Sequence, residues 1–158
     1  MPAFTLSSTD GIAVLTLDVP GEPVNALGSR IIGEFEALLA SIASDAGLRA
    51  VVLLSGKPDS FIAGADIQEF VRITTAAEGE ALARAGQEMI NRIARFPKPI
   101  VIAIHGACVG LGCELALACA WRIATDSPKT VIGLPEVQIG ILPGAGGCQR
   151  LPRLIGVR

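Results

Sequence analysis

The sequence predicts an α/β fold with a largely parallel sheet. Ala50–Leu54 and Ile100–Ile104 are short, continuous apolar runs, the mark of strands covered on both faces. Two long stretches carry apolar residues at helical spacing, one beginning near Ser29 and the other spanning Thr75 to Phe96. Strand and helix alternate along the chain, which requires crossover connections and therefore parallel neighbours. At 158 residues the chain is one domain's worth, or most of one.

Taken in order, Ile12–Leu17 alternates as a strand does and is closed by the turn residues Val19-Pro-Gly-Glu-Pro23. Ser29 is the expected N-cap of a helix with Ile31, Ile32, Phe35, Leu38, Leu39 and Ile42 on its apolar side, stopped by Asp45-Ala-Gly47. After the strand 50–54 and a loop comes Phe61-Ile-Ala-Gly-Ala-Asp66, a strand end running into a helix. Leu82, Met89, Ile90 and Ile93 line the second long helix, which Pro97-Lys-Pro99 ends before the strand 100–104. Gly106–Gly112 reads as a turn and Cys113–Ala120 as a short apolar helix. Ile123-Ala124 and Val131-Ile132 are short extended pieces, and Gly144–Leu151 is a further glycine turn entering a helix.

Composition narrows the function. Hydrophobic residues are 51% and charged residues 18% of the chain, which excludes a disordered charged tail. Thirteen Lys and Arg against fifteen Asp and Glu give a net charge of −2, no footprint for nucleic acid. The longest uncharged run, Pro99–Cys113, is too short and too interrupted by glycine and His105 for a membrane span. The N-terminus has no basic segment followed by an apolar one, so no secretory signal is read. One histidine and four scattered cysteines, Cys108, Cys113, Cys119 and Cys148, fit no zinc spacing, and free thiols point to a reducing cytoplasm.

Chemistry is expected at two strand-to-glycine transitions, around Ala63-Gly64-Ala65 and Gly110-Leu111-Gly112. Helix N-termini leave N–H groups unpaired and positive, and two such ends facing one point stabilise an oxygen that gains negative charge. A dinucleotide or phosphate loop is the rival, but Leu115 stands where a third glycine belongs and no Gly-Lys-Ser/Thr occurs. Glu114 is the only charge between Lys98 and Arg122, and Glu136 lies in the apolar, glycine-bounded Gly133–Gly140. Carboxylates in apolar surroundings have raised pKa values and suit acid/base work near neutral pH. His105 and the cysteines read as packing residues, and Asp66 as a helix cap or salt-bridge partner.

Three linked segments carry a specific resemblance: Phe61–Ile67, Ile104–Leu115 and Leu134–Arg153, with Val24-Asn-Ala-Leu27 preceding them in the right order. Together they resemble the enoyl-CoA hydratase/isomerase (crotonase) family over nearly the whole chain, most of all the hydratase part of the bifunctional β-oxidation α-subunit. The resemblance implies a spiral of ββα units that holds an acyl-CoA thioester between the glycine loops. It assigns the oxyanion-donating amides to Ala65 and Leu111 and the catalytic carboxylates to Glu114 and Glu136. Ala63, Gly64, Asp66, Ile67 and Gln68 then lie where the family contacts the CoA moiety.

The reaction so implied is hydration of 2-enoyl-CoA thioesters in fatty-acid β-oxidation, with no metal or redox cofactor. Double-bond isomerisation, thioester hydrolysis and an inactive acyl-CoA-binding fragment are the alternatives; retention of both glutamates favours hydration. A homo-oligomer, or a place in a β-oxidation complex, is the implied assembly. Two residues depart from the family pattern: Leu111 replaces a glycine, bringing bulk and a dislike of positive φ, and Cys148 replaces a threonine. Residues 1–158 read as a hydratase domain incomplete at its C-terminus, without the family's C-terminal helices. Leu151, Leu154, Ile155 and Val157 then lack a covering segment, which favours association.

Overall fold

The computed structural model describes residues 1–157. Strands β1 (Phe4–Thr9) and β2 (Ile12–Leu17) form a hairpin, followed by helix α1 (Ser29–Ser44) and strands β3 (Ala50–Ser55) and β4 (Ser60–Ile62). A single turn, α2 (Ile67–Phe70), and the long α3 (Ala76–Ala94) lead to β5 (Ile100–Ile104), β6 (Ala107–Val109) and α4 (Leu111–Ala118). The chain continues through β7 (Trp121–Ala124), β8 (Val131–Gly133), a 3-10 turn (Glu136–Ile139) and α5 (Gly147–Ile155).

The larger sheet has the order β1-β2-β3-β5-β7 and the smaller the order β4-β6-β8. Among the described residues only the β1–β2 pair is antiparallel. From β3 onward each strand of the larger sheet is followed by a short strand of the smaller one, β3 by β4, β5 by β6 and β7 by β8. Helices then carry the chain back to the next long strand. This repeat is a spiral of ββα turns, as expected. Its core lies between the sheets and the helices, where Leu15, Leu53, Ile62, Ile90 and Ile102 are essentially inaccessible. Burying each contributes about 1.5–3 kcal/mol.

Local differences from the sequence reading have identifiable causes. The strand β1 was not anticipated, because its solvent face is Thr, Ser and Leu and only Phe4 is buried, stacked on Phe35 with ring centroids 5.3 Å apart. Ser29 is the first helical residue of α1 rather than its cap, a position Gly28 occupies without a side-chain bond. Ser29 instead receives help from outside, its N–H and hydroxyl both donating to Glu69. The Gly106–Gly112 stretch is not one turn, since β6 lies within it, and α4 begins at Leu111 rather than Cys113. Thr75 caps α3 through a capping box with Glu78, which fixes the start of that helix. Among the described residues no helix is long and apolar enough to cross a membrane.

Candidate active site

Asn25 organises the first loop. It is fully buried, its Oδ1 accepting the Val19 N–H and its Nδ2 donating to the Leu17 carbonyl, the Ser55 hydroxyl and the Phe61 carbonyl. All its polar capacity is met, so it ties the ends of β2, β3 and β4 together at low energetic cost. Segment 25–27 then runs beside residues 63–66. Ala63 N–H donates to the Asn25 carbonyl, Leu27 N–H to Gly64 and Asp66 N–H to Leu27. Leu27 and Ala65 thereby form a parallel bridge. The two bonds flank Ala65, so its own N–H points away from Leu27 and has no acceptor among the described residues. Asn25 stands in the Val24-Asn-Ala-Leu27 segment, and nothing in its sequence neighbourhood signals this role.

The second loop meets the first through glycine. Gly110 has φ +57° and ψ −128°, a conformation closed to residues with a side chain. A Cβ there would stand 3.6 Å from the Gly64 Cα and 3.5 Å from Glu136 Oε1. The left-handed strain expected of Leu111 therefore belongs to Gly110, and Leu111 has an ordinary negative φ. Its side chain is half-buried and packs on the core. As the first residue of α4, it has an N–H without an acceptor among the described residues. Two unpaired amides, those of Ala65 and Leu111, thus sit on loops in direct contact.

Glu114, in the first turn of α4, is 2% exposed. Its Oε1 accepts the N–H groups of Ala145 and Gly147, both at 2.8 Å. Burial pushes its pKa up; the two amides and Arg150 oppose the shift, and the Glu136 charge adds to it. Glu136, at the start of the 3-10 turn, is 7% exposed, and its Oε2 is buried without a partner among the described residues. Cys113 lies between the two carboxylates in its electrostatics, and burial with both of them raises its thiol to about 11. It is a neutral packing group. The arrangement can stabilise negative charge on an oxygen between two amides and exchange protons through two carboxyls beside it.

The remaining candidates fall close by or elsewhere. Ala63, Gly64 and Asp66 continue the first loop inward, while Ile67 and Gln68 are exposed at its outer end. Asp66 caps α2, accepting the Gln68 N–H, and forms no salt bridge among the described residues. His105 is half-buried and bonded to the Lys57 carbonyl, remote in role from the carboxylates. Cys108 and Cys119 are buried, with burial holding both thiols at about 12, but Cys148 is exposed on α5 rather than packed. Its helix presents only Gly147 to the interior. Among the described residues no group of three potential ligands is placed to hold a metal ion. The amides of Ala145 and Gly147, which hold Glu114, were not anticipated; the glycine-rich run 144–147 was their only signal.

Comparison with known proteins gives a consistent answer. The sequence model of the family described as enoyl-CoA hydratase/isomerase matches residues 7–158. The structure of an enoyl-CoA hydratase from Bacillus anthracis superposes with a TM-score of 0.87 at 33% identity, over 98% of this chain and 59% of that one. For an enoyl-CoA hydratase from Geobacillus kaustophilus the values are 0.88 and 36%, over 99% and 58%. For DspI of Pseudomonas aeruginosa they are 0.88 and 31%, over 99% and 62%. The chain therefore spans less than two thirds of the length of each of these structures.

Proposed function

The chain belongs to the enoyl-CoA hydratase/isomerase family, and from that premise we propose that it adds water across the double bond of 2-enoyl-CoA thioesters. The observation that carries this reading is the pairing of two buried carboxyls with two unpartnered amides on abutting loops. The thioester oxygen lies between the Ala65 and Leu111 N–H groups, which draw electron density from C3. The half-buried Asp66 and the exposed Ile67 and Gln68 beside Ala65 offer the open surface that a CoA moiety needs.

Glu114 takes a proton from water as the water oxygen bonds to C3, and the C2=C3 electron pair moves onto the thioester as an enolate. The enolate oxygen gains its charge between the two amides, and each such donor is worth about 3–4 kcal/mol when judged by removal. Glu136 supplies the proton that bonds to C2, and its Oε2, free of protein partners, is the oxygen that carries it. The steps are proton transfers and the polar addition of the water oxygen to C3, with the proton taken by Glu114 passing back to Glu136 before the next turnover, so the scheme consumes no oxidant or reductant. The 3-hydroxyacyl product suits fatty-acid β-oxidation in the cytoplasm, and the exposed Leu154, Ile155 and Val157 suit a homo-oligomer or a β-oxidation complex.

Loss of the conjugated-enoyl absorbance on mixing the purified protein with crotonyl-CoA tests the reading directly. Migration of a 3-enoyl double bond without hydration would replace it with isomerisation, and release of free CoA would replace it with hydrolysis. Leu111→Gly tests the oxyanion assignment. The amide persists, so turnover should hold within a few-fold, while losing the half-buried side chain should cost less than the about 2–5 kcal/mol of a fully buried leucine. Thermal unfolding and steady-state hydration on the same protein check both halves. A fall in turnover much larger than any change in the folded fraction would show that the side chain itself shapes the site.

A further inference from the structure

Glu114 is held by two amides; Gln87 backs the peptide of the first, and Arg150 holds the loop between the two. A trans peptide directs its C=O and N–H to opposite sides. The Gly144 carbonyl accepts from Gln87 Nε2 at 2.9 Å, which turns the Ala145 N–H of the same peptide toward Glu114. The Ala145 carbonyl accepts from Arg150 Nη1 at 3.2 Å, while Arg150 Nη2 donates to Asn91 Oδ1 at 2.9 Å. Gln87 and Asn91 are one helical turn apart on α3 and therefore share a face. Gly146 has φ +107°, and a Cβ there would stand 2.0 Å from Arg150 Nη1, so the end of the guanidinium is seated against this loop in space that only glycine leaves open.

We propose that Gln87 and Arg150 are positioning residues that clamp the 144–147 loop onto α3 and so orient the amides that hold the Glu114 carboxylate. The consequence for catalysis rests on the reading of Glu114 as the base that activates water. Neither side chain hydrogen-bonds the carboxylate: Gln87 acts through the backbone, and Arg150 through the backbone and by its charge. Electrostatics points the same way: Arg150 favours the charged form of Glu114, against burial and the Glu136 charge. Those two groups and Cys113 are the titratable and charged neighbours in the site. Removing a side chain that orients a functional group from behind typically costs 10–100-fold, the scale expected here.

Gln87 is exposed, so its replacement spares the core. The test compares wild type, Gln87→Leu, Gln87→Lys and Arg150→Gln by two measurements. One is the titration of the Glu114 carboxyl followed by 13C NMR, and the other is kcat and KM for crotonyl-CoA. In Gln87→Leu and Arg150→Gln, Glu114 should titrate at higher pH, and kcat should fall about 10-fold with KM unchanged. Gln87→Lys restores a donor to the Gly144 carbonyl and should return both readouts toward wild type. Wild-type titration and kcat in Gln87→Leu and Arg150→Gln would overturn the proposal, as would equal losses in Gln87→Leu and Gln87→Lys. Should Arg150→Gln fail to fold, the two Gln87 variants decide alone. If every protein lacks hydration, wild type included, the catalytic reading fails and the Glu114 titration still decides the clamp.

Discussion

Glu114→Gln is expected to lower hydration turnover by about 10²–10⁴-fold, the span that general acid–base groups contribute, without loosening the fold. The amide oxygen of glutamine can replace Oε1 and accept the same two N–H groups from Ala145 and Gly147. Shape is conserved, so substrate affinity should change little. Glu136→Gln should reduce turnover on the same scale, because in the proposed mechanism Glu136 supplies the proton to C2. Full activity in either variant would reduce that glutamate to a structural group.

The stability of Glu114→Gln should move the other way. In the folded chain the Glu114 pKa is raised, chiefly by burial, so the native state keeps its proton to higher pH than the unfolded chain does. The stability this group contributes is full below the ordinary glutamate range and is lost as pH rises through the raised value. Glutamine suffers no such loss. The variant should therefore be at least as stable as wild type near pH 7, with the advantage shrinking near pH 4. Urea unfolding at the two pH values checks it. Turnover of the wild type should fall on the acid side as Glu114 takes up its proton, above the range of an ordinary glutamate, and that limb should vanish in the variant.

Sequence and structure agree where burial leaves a mark on composition. The strands β3 and β5 were legible because both faces are covered, and Glu114 and Glu136 because a lone charge in an apolar run needs a reason. The β1 strand was hidden, since one buried Phe4 in six residues makes no period. The three-residue β6 was hidden too, because its glycine neighbours resemble a turn and its pairing with β4 and β8 is set by the spiral. Within the site the glycine loops were visible, but the amides that face inward were not. Which N–H is left free depends on partners far away in sequence, as with Leu27 against Ala65 and Gln87 against Gly144. The strain assigned to Leu111 illustrates the point: α4 begins two residues earlier than expected, at Leu111, and the positive φ falls on Gly110.

Gly112→Ala is expected to damage stability and turnover together, with the opposite sign from the usual rule. Glycine inside a helix costs about 1 kcal/mol relative to alanine, so this exchange in the first turn of α4 would ordinarily be neutral or stabilising. Here a Cβ would stand 2.6 Å from the Ile62 carbonyl oxygen and 2.8 Å from the Ile62 Cβ. Both Gly112 and Ile62 are buried, and the nearest atom is backbone that no rotamer change can withdraw. Relief requires α4 to move away from β4, and overpacking of this kind costs about 1–3 kcal/mol. That movement carries the Leu111 N–H with it and leaves the Ala65 N–H behind on the other loop. A misplacement of about 1 Å is enough to cost about 10²-fold in rate, so turnover should fall that far even in the fraction that remains folded. Ile62→Ala added to Gly112→Ala should not rescue the enzyme, because the carbonyl stays where it was. Chemical denaturation and kcat measured on the single and double variants decide the matter. A stabilised Gly112→Ala protein with wild-type turnover would mean that α4 does not press on β4, and the contact between the two amide-bearing loops would have to be abandoned.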